Sequence, residues 1–362
     1  GRIVVARDLD AATQIAKRYH YRFRIVTLDG QVVNAGGSMT GGSQARSAGL
    51  LSRSADIAQG KEKIAALEQQ AAKAKEPFQA TAQRTIQAEQ ITQEVAQMCK
   101  EAAYYLPGDV FAALERGRLS EKSPVGREVL DQIITNAKIA KEEDRPICQD
   151  TGMTIVFVEL GQDVHIEGGN LNDAINAGVA KGYTEGYLRK SVVAEPLFDR
   201  KNTQDNTPAV IYTEIVPGDK LTIQVEPKGF GSENKSGLKM LVPADGVKGV
   251  KKAVMDIILH ASCNPCPPMV VGIGIGGTMD RAAVMSKKAL LRPTNVRNAH
   301  PEYAKLEEEL LELINQTGIG PQLGGTTSAL AVNIEWGPTH IAGLPVAVTI
   351  CCHACRHSKR VL

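Results

Sequence analysis

The stretch Met269-Val-Val-Gly-Ile-Gly-Ile-Gly-Gly-Thr278 reads as an apolar strand over residues 269–275 that passes through a glycine turn into a helix starting near Thr278. Further apolar runs of strand length lie at residues 154–159, 209–215, 220–226 and 346–351. Helical spacing appears between and before them. Val95, Met98, Cys99, Ala102 and Ala103 form one apolar stripe, and Val129, Ile133, Ile134 and Ala137 form another within residues 128–140. A further helix starts at Pro107-Gly-Asp and runs through Leu114. Strands mixed with helices predict an α/β (mixed α+β) layered domain over residues 91–362.

The glycines of Gly272-Ile-Gly274-Ile-Gly276-Gly277 formally match a dinucleotide-binding pattern and so raise a nucleotide-dependent oxidoreductase. The ribose-binding acid expected about 20 residues further on is missing, because residues 291–299 contain no Asp or Glu. What remains is a glycine turn into a helix N-terminus, with Thr278 as its cap, that faces backbone N–H groups toward an anion.

The whole chain has 362 residues, enough for two or three domains. Its 42 Lys+Arg against 40 Asp+Glu leave a formal charge of +2, which excludes bulk nucleic-acid or anionic-membrane binding. Apolar stretches around residues 269–275 and 344–352 fall short of the roughly 18 to 20 residues of a membrane span. The chain opens Gly-Arg-Ile-Val-Val, without the pattern of a secretory leader, so a reducing cytoplasmic location is expected.

Ahead of residue 91 the reading changes. Residues 2–6, 9–19 and 23–28 read strand, helix, strand, and Asp29-Gly30 signals a hairpin. Gly36-Gly-Ser-Met-Thr-Gly-Gly-Ser43 reads as a loop, and it lacks the Gly-Lys-Ser/Thr of a phosphate loop. Residues 57–90 read as a polar, alanine-rich helical linker with Ile57, Ile64 and Ala71 seven apart, ended by Pro77.

Seven cysteines form no evenly spaced framework. Cys99 lies on an apolar helix stripe and reads as a buried small hydrophobe. The others fall in three groups at loops or strand ends: Ile147-Cys148-Gln-Asp-Thr-Gly, Cys263-Asn-Pro-Cys266-Pro-Pro, and Cys351-Cys352-His-Ala-Cys355-Arg-His. Two Cys-x-x-Cys pairs, Cys263/Cys266 and Cys352/Cys355, raise a structural zinc site, which leaves Cys148 unused. An iron-sulfur cluster with one ligand from each group uses all three and leaves one iron open to act as a Lewis acid. Gly229-Phe-Gly231-Ser-Glu-Asn-Lys resembles a backbone anion nest. Arg189 and His340 are charged or titratable residues that, taken singly, also fit a solvated helix face and a core histidine.

Taken in order, Ala102-Ala-Tyr-Tyr-Leu-Pro, Ile147-Cys-Gln-Asp-Thr-Gly, Gly231-Ser-Glu-Asn-Lys-Ser, Cys266-Pro-Pro, Gly276-Gly-Thr, Thr339-His-Ile-Ala-Gly-Leu-Pro and Cys352-His-Ala resemble the α subunit of class I iron-sulfur fumarate hydratases and the related L-tartrate dehydratases. The resemblance covers residues 91–362. It implies a hydro-lyase with a 4Fe-4S cluster on Cys148, Cys266 and Cys352, with Cys263, Cys351 and Cys355 as neighbours that the family commonly lacks. It also implies Gln149, Arg189, Gly229 and Gly231 as substrate contacts, and Asp150 and His340 as catalytic groups. The implied substrate is a small dicarboxylate, fumarate with (S)-malate or tartrate. A β subunit is implied as partner, within a homo- or hetero-oligomer, to supply the β-carbon base and further arginines.

Residues 1–56, through Arg2-Ile-Val-Val, Tyr21-Arg-Phe-Arg-Ile-Val-Thr-Leu-Asp-Gly and the glycine loop, resemble the C-terminal half of an SMC chromosome-segregation hinge. That resemblance leaves a chromosome-associated protein as an alternative. The preceding half-hinge and the ATPase heads are not in the sequence, so an appended module is expected.

Overall fold

The computed structural model describes residues 3–41, 59–71 and 85–362. By internal contacts the chain divides into two compact units, Gly1–Gln79 and Ala80–Leu362.

In the first unit, β1 (Ile3–Ala6) and β2 (Arg24–Thr27) pair in parallel, joined by α1 (Leu9–Arg18). The Asp8 side chain starts α1 by accepting the Ala11 N–H at 2.8 Å. β3 (Val32–Val33) returns antiparallel after the Asp29-Gly30 turn, as the hairpin signal predicted. The glycine loop departs from expectation. Its Met39–Thr40 forms a short strand, β4, paired with β3, because Gly36 and Gly37 turn the chain at φ 94° and 90°. Ala12 and Ala16 of α1 pack on Ile25 and Val33. Residues 59–71 form a helix, α2. The expected helix stop at Pro77 lies outside the described residues, as do Gly42, Ser43 and Ile57.

The second unit begins with β5 (Thr85–Gln87), followed directly by α3 (Ala88–Tyr104), α4 (Gly108–Ser120) and α5 (Pro124–Glu142). Two four-stranded mixed sheets follow. One has the order β14-β9-β6-β8, from Ser358–Val361, Leu221–Lys228, Met153–Gly161 and Val210–Val216. The other has the order β10-β13-β11-β12, from Gly237–Leu241, Leu344–Cys351, Met269–Gly277 and Ala329–Thr339. A short ladder pairs β5 with β7 (His165–Glu167). The mixed α/β class is therefore seen among the described residues. The strands run further than their apolar cores, because β9 continues through Glu226 to Lys228, where it still pairs with Met153 of β6.

Packing follows from which faces are apolar. The outer face of the first sheet (Val156, Val158, Leu221, Ile223 and Val225) buries against α3 and α6 (Leu171–Glu185). Gly178 and Gly182 of α6 let these two helices touch: a Cβ on either would lie 2.7 Å from a carbonyl oxygen of α3, that of Thr92 or Ala96. The second sheet buries Val271, Ile273, Val332 and Val348 against α8 (Gly246–Ala261) and α10 (Pro301–Asn315). Between the two sheets lies α9 (Met279–Ala289). Its Val284 meets Ile155, Phe157 and Tyr212 of the first sheet, and its backbone presses on β11 of the second.

That contact explains the Gly272-Ile-Gly274 pattern. A Cβ on Gly272 would stand 2.1 Å from the Ser286 oxygen, and one on Gly274 would stand 2.0 Å from the Ala282 oxygen. The glycines admit a helix against a strand, not a pyrophosphate. Thr278 occupies the N-cap position of α9 but makes no cap hydrogen bond, because its hydroxyl donates to Asp280 at 2.5 Å. Hydrogen bonds from Thr278 and from the N–H groups of Asp280 and Arg281 lower the Asp280 pKa. The anion expected at this helix end is thus supplied by the chain's own carboxylate.

Candidate active site

The two sheets bring four loops to one end of the unit. Cys148 precedes β6, Gly229 follows β9, Cys266 precedes β11, and Cys352 follows β13. The register fixes this, since Met153 pairs with Lys228 and Val270 pairs with Cys351. A cavity of about 190 Å³ there is lined by Cys148, Gln149, Asp150, Gly229, Gly231, Cys266, Cys352 and Arg356, among others.

Each loop is held by side chains that have no recognisable motif in sequence. Asn136 donates to the Ile147 oxygen at 2.8 Å, and the buried Tyr183 hydroxyl donates to the Thr151 oxygen at 2.6 Å. Asn206, fully buried, donates to the Gly152 oxygen at 3.1 Å. Gly152 adopts φ +74°, and a Cβ there would lie 2.7 Å from the Lys228 backbone, so only glycine fits. The Asp150 carboxylate accepts the Gly152 N–H and the Phe230 N–H, each at 3.0 Å, and so ties the first cysteine loop to the glycine loop.

Behind the glycine loop and the short helix it opens, α7 (Phe230–Glu233), Lys228 is 1 % exposed and donates to Ser232 Oγ at 2.7 Å and to the Gly229 oxygen at 3.2 Å. Its countercharge is Glu233, at 3.6 Å. Nearby Glu226 is equally buried and neither of its carboxylate oxygens has a hydrogen-bond partner. Burial pushes its pKa up to about 7 against the opposing attraction of Lys228 and Lys287.

Cys266 sits at φ +55°, a left-handed conformation that is costly for a residue with a Cβ. Burial, and then the neighbouring Cys352, Cys148 and Cys263 thiols, push its pKa upward. Cys355 turns the other way, into an apolar cluster with Val270, Leu290 and Ala331. The second Cys-x-x-Cys pair therefore does not face the cavity as a unit, which removes the geometry a two-pair zinc site needs. Among the described residues, no three His, Cys, Asp or Glu side chains are close enough to hold a single metal ion. Cys148, Cys266, Cys351 and Cys352 all line the cavity, so thiols from three loops meet there.

Arg189 and His340 do not line this cavity. The Arg189 carbonyl accepts from Thr151 Oγ1 at 2.8 Å, but its side chain is exposed. His340 lies in the exposed turn between β12 and β13, beside Gly277 at the far end of β11 from Cys266. Nine strand residues separate the ends of β11, a span of roughly 30 Å. His340 Nδ1 accepts the Ala342 N–H at 3.2 Å. Cys99 is fully buried between α3 and α6, and burial pushes its pKa up to about 12.

A layered α/β frame whose loops converge on thiols, a carboxylate and a bare glycine backbone defines an enzyme domain. Residues 92–361 match the family described as Fumarate hydratase (Fumerase). The chain is 44% identical over 281 residues to a protein named putative L(+)-tartrate dehydratase subunit alpha from Methanocaldococcus jannaschii, covering 75% of this chain and 97% of that one. It is 35% identical over 271 residues to L(+)-tartrate dehydratase subunit alpha of Escherichia coli strain K12, covering 74% and 88%. A solved SMC hinge domain from Geobacillus stearothermophilus is 40% identical over 22% of this chain and 31% of its own, with a TM-score of 0.12. The chain belongs to the fumarate hydratase (Fumerase) family, and it is a hydro-lyase.

Proposed function

We propose that this chain is the α subunit of a 4Fe-4S hydro-lyase that adds water to, or removes it from, a small dicarboxylate: fumarate and (S)-malate, or tartrate. The observation that carries the reading is the placement of Cys148, Cys266 and Cys352, from three separate loops, around one cavity with Asp150 on its wall. Those three thiols are the cluster ligands. The cluster, when bound, supplies an open iron as Lewis acid for the hydroxyl oxygen.

The chain's own residues do the rest. Asp150, its carboxylate oriented by two backbone N–H groups, holds or accepts a proton at the cavity wall. Gly229 and Gly231 bring backbone close to a carboxylate without a side chain in the way, and the exposed Gln149 supplies an amide beside it. Arg189 and His340, outside the lining, serve the reaction only through assembly with other chains. The relatives' names as α subunits support a β subunit as the partner that completes the site.

No helix among the described residues is long and apolar enough to cross a membrane, and the clustered free thiols support a reducing cytoplasmic setting. For the first unit, the motifs of residues 2–56 support an appended half-hinge module with no chromosome-organising role of its own. Anaerobic purification with iron and sulfide analysis tests the reading. About four irons and four sulfides per chain are expected. A colourless, zinc-containing protein would overturn it.

A further inference from the structure

The cavity holds one charge that the hydration chemistry above leaves unused. Arg356 is 3 % exposed and lines the cavity four residues after Cys352. Its Nη2 donates to the Asp150 carbonyl, while Nε and Nη1, both buried, have no hydrogen-bond partner. Among the described residues no carboxylate pairs with it. The other buried cation near the cavity, Lys228, is already matched by Glu233 and Ser232. A guanidinium does not shed its proton in a protein. Burying it without an anion is unfavourable, so this position calls for negative charge that no carboxylate of the described residues provides.

We propose that Arg356 is the positioning residue for the cluster's charge: its buried guanidinium, with Nε–H and Nη1–H unpartnered beside the cavity, offsets the net negative charge of a cluster held by Cys148, Cys266 and Cys352. This rests on the cluster reading above. Donors and positive charge directed at cluster sulfur stabilise the more reduced, more negative state and so raise the reduction potential. The backbone contact to Asp150 couples the same guanidinium to the loop that carries Cys148.

The test uses the full 362-residue chain and its R356Q and R356K variants, reconstituted anaerobically with ferrous iron and sulfide. Iron and sulfide content, the potential followed by electron paramagnetic resonance, and the rate of iron loss to a chelator are measured. R356Q should lose iron several-fold faster and titrate at a more negative potential, and R356K, which keeps charge but fewer donors, should fall between. In the cluster-free form R356Q should melt no lower than wild type, because it removes an uncompensated buried charge; a purely structural arginine would instead lower that melting point and leave the potential unmoved. If R356Q does not fold, R356K alone decides through its potential. Equal iron retention and equal potential in the variants overturn the inference, as does a variant with an unchanged cluster and weakened malate binding, which would make Arg356 a substrate clamp. A wild-type chain that takes up no iron or sulfide overturns the cluster reading itself, and is told apart because the variants then never enter the comparison.

Discussion

The carbonyl oxygen of Cys266 accepts two hydrogen bonds from His353, one from its backbone N–H at 3.2 Å and one from ring Nδ1 at 3.0 Å. Because a carbonyl only accepts, Nδ1 carries the proton. Burial lowers the His353 pKa and keeps the ring neutral. One histidine thus ties the second cysteine loop to the third, and holds Cys266 in its left-handed turn. H353A should remove the ring bond and cost about 1 kcal/mol in a denaturant melt. It should also lower iron uptake on anaerobic reconstitution, a loss read directly by iron analysis.

Asp150 joins two loops through its carboxylate and faces the cavity. D150N keeps the shape and one of the two acceptor oxygens, leaving either the Gly152 or the Phe230 N–H without its partner. Turnover with a β subunit present should fall by about 10²–10⁴ if this group moves the proton, while iron content stays near wild type. Steady-state kinetics beside iron analysis checks both halves.

Glycines at two places should respond oppositely to alanine. At Gly274 the new methyl would overlap the Ala282 oxygen, so G274A should lose on the order of 1–3 kcal/mol or fail to accumulate as folded protein. Gly231 has open space where its Cβ would be, so G231A should melt near wild type while narrowing the cavity and raising KM.

Two buried carboxyls should shape the pH dependence of stability with opposite signs. Burial raises the Glu121 pKa, but N–H groups of Ser123, Thr326 and Thr327 outweigh it and hold the group down at about 2. Its folded pKa is below the ordinary 4.5, so its contribution is present above pH 4.5 and is lost as pH falls toward 2. Glu226, raised to about 7, binds its proton more tightly when folded. Its contribution is present below pH 4.5 and is lost as pH rises through 7. E121Q should cost roughly 3 kcal/mol at neutral pH, and E226Q should gain roughly that much near pH 8. Urea melts across the pH range measure both.

Much of this frame could be read from the chain because apolar runs such as Val270-Val271 and Val346–Ile350 pack on both faces, and that is a one-dimensional signal. Where the reading stopped short, the missing information was spatial. Pro301–Asn315 covers one side of a sheet and so carries only one apolar face, and the edge strand Ala329–Thr339 turns polar and partly exposed from Glu335 onward, so neither shows an unbroken apolar run. Gly272 and Gly274 were visible as a pattern, yet only the packing says that their partner is a helix carbonyl. Tyr183, Asn206, Lys228 and Arg356 carry no motif; burial alone gives them their work. Glutamates 121 and 226 are the same residue type with opposite titration, separated only by whether N–H groups reach them.

The cysteine loops hang from two different sheets, with α9 lodged between them: Cys148 belongs to the sheet of β6, and Cys266 and Cys352 to that of β11 and β13. Any group gripped by all three sulfurs is therefore a cross-link between layers, closing a long ring of chain much as a disulfide would. Such a tie acts on the unfolded ensemble as well as on the native one. The metal-free chain should yield to protease first at the loops around 148, 266 and 352, and loading it with iron and sulfide should close all three sites together, not one by one. The layers would then slide or hold as a single mechanical unit, so that cluster chemistry and resistance to shear become one property of the molecule.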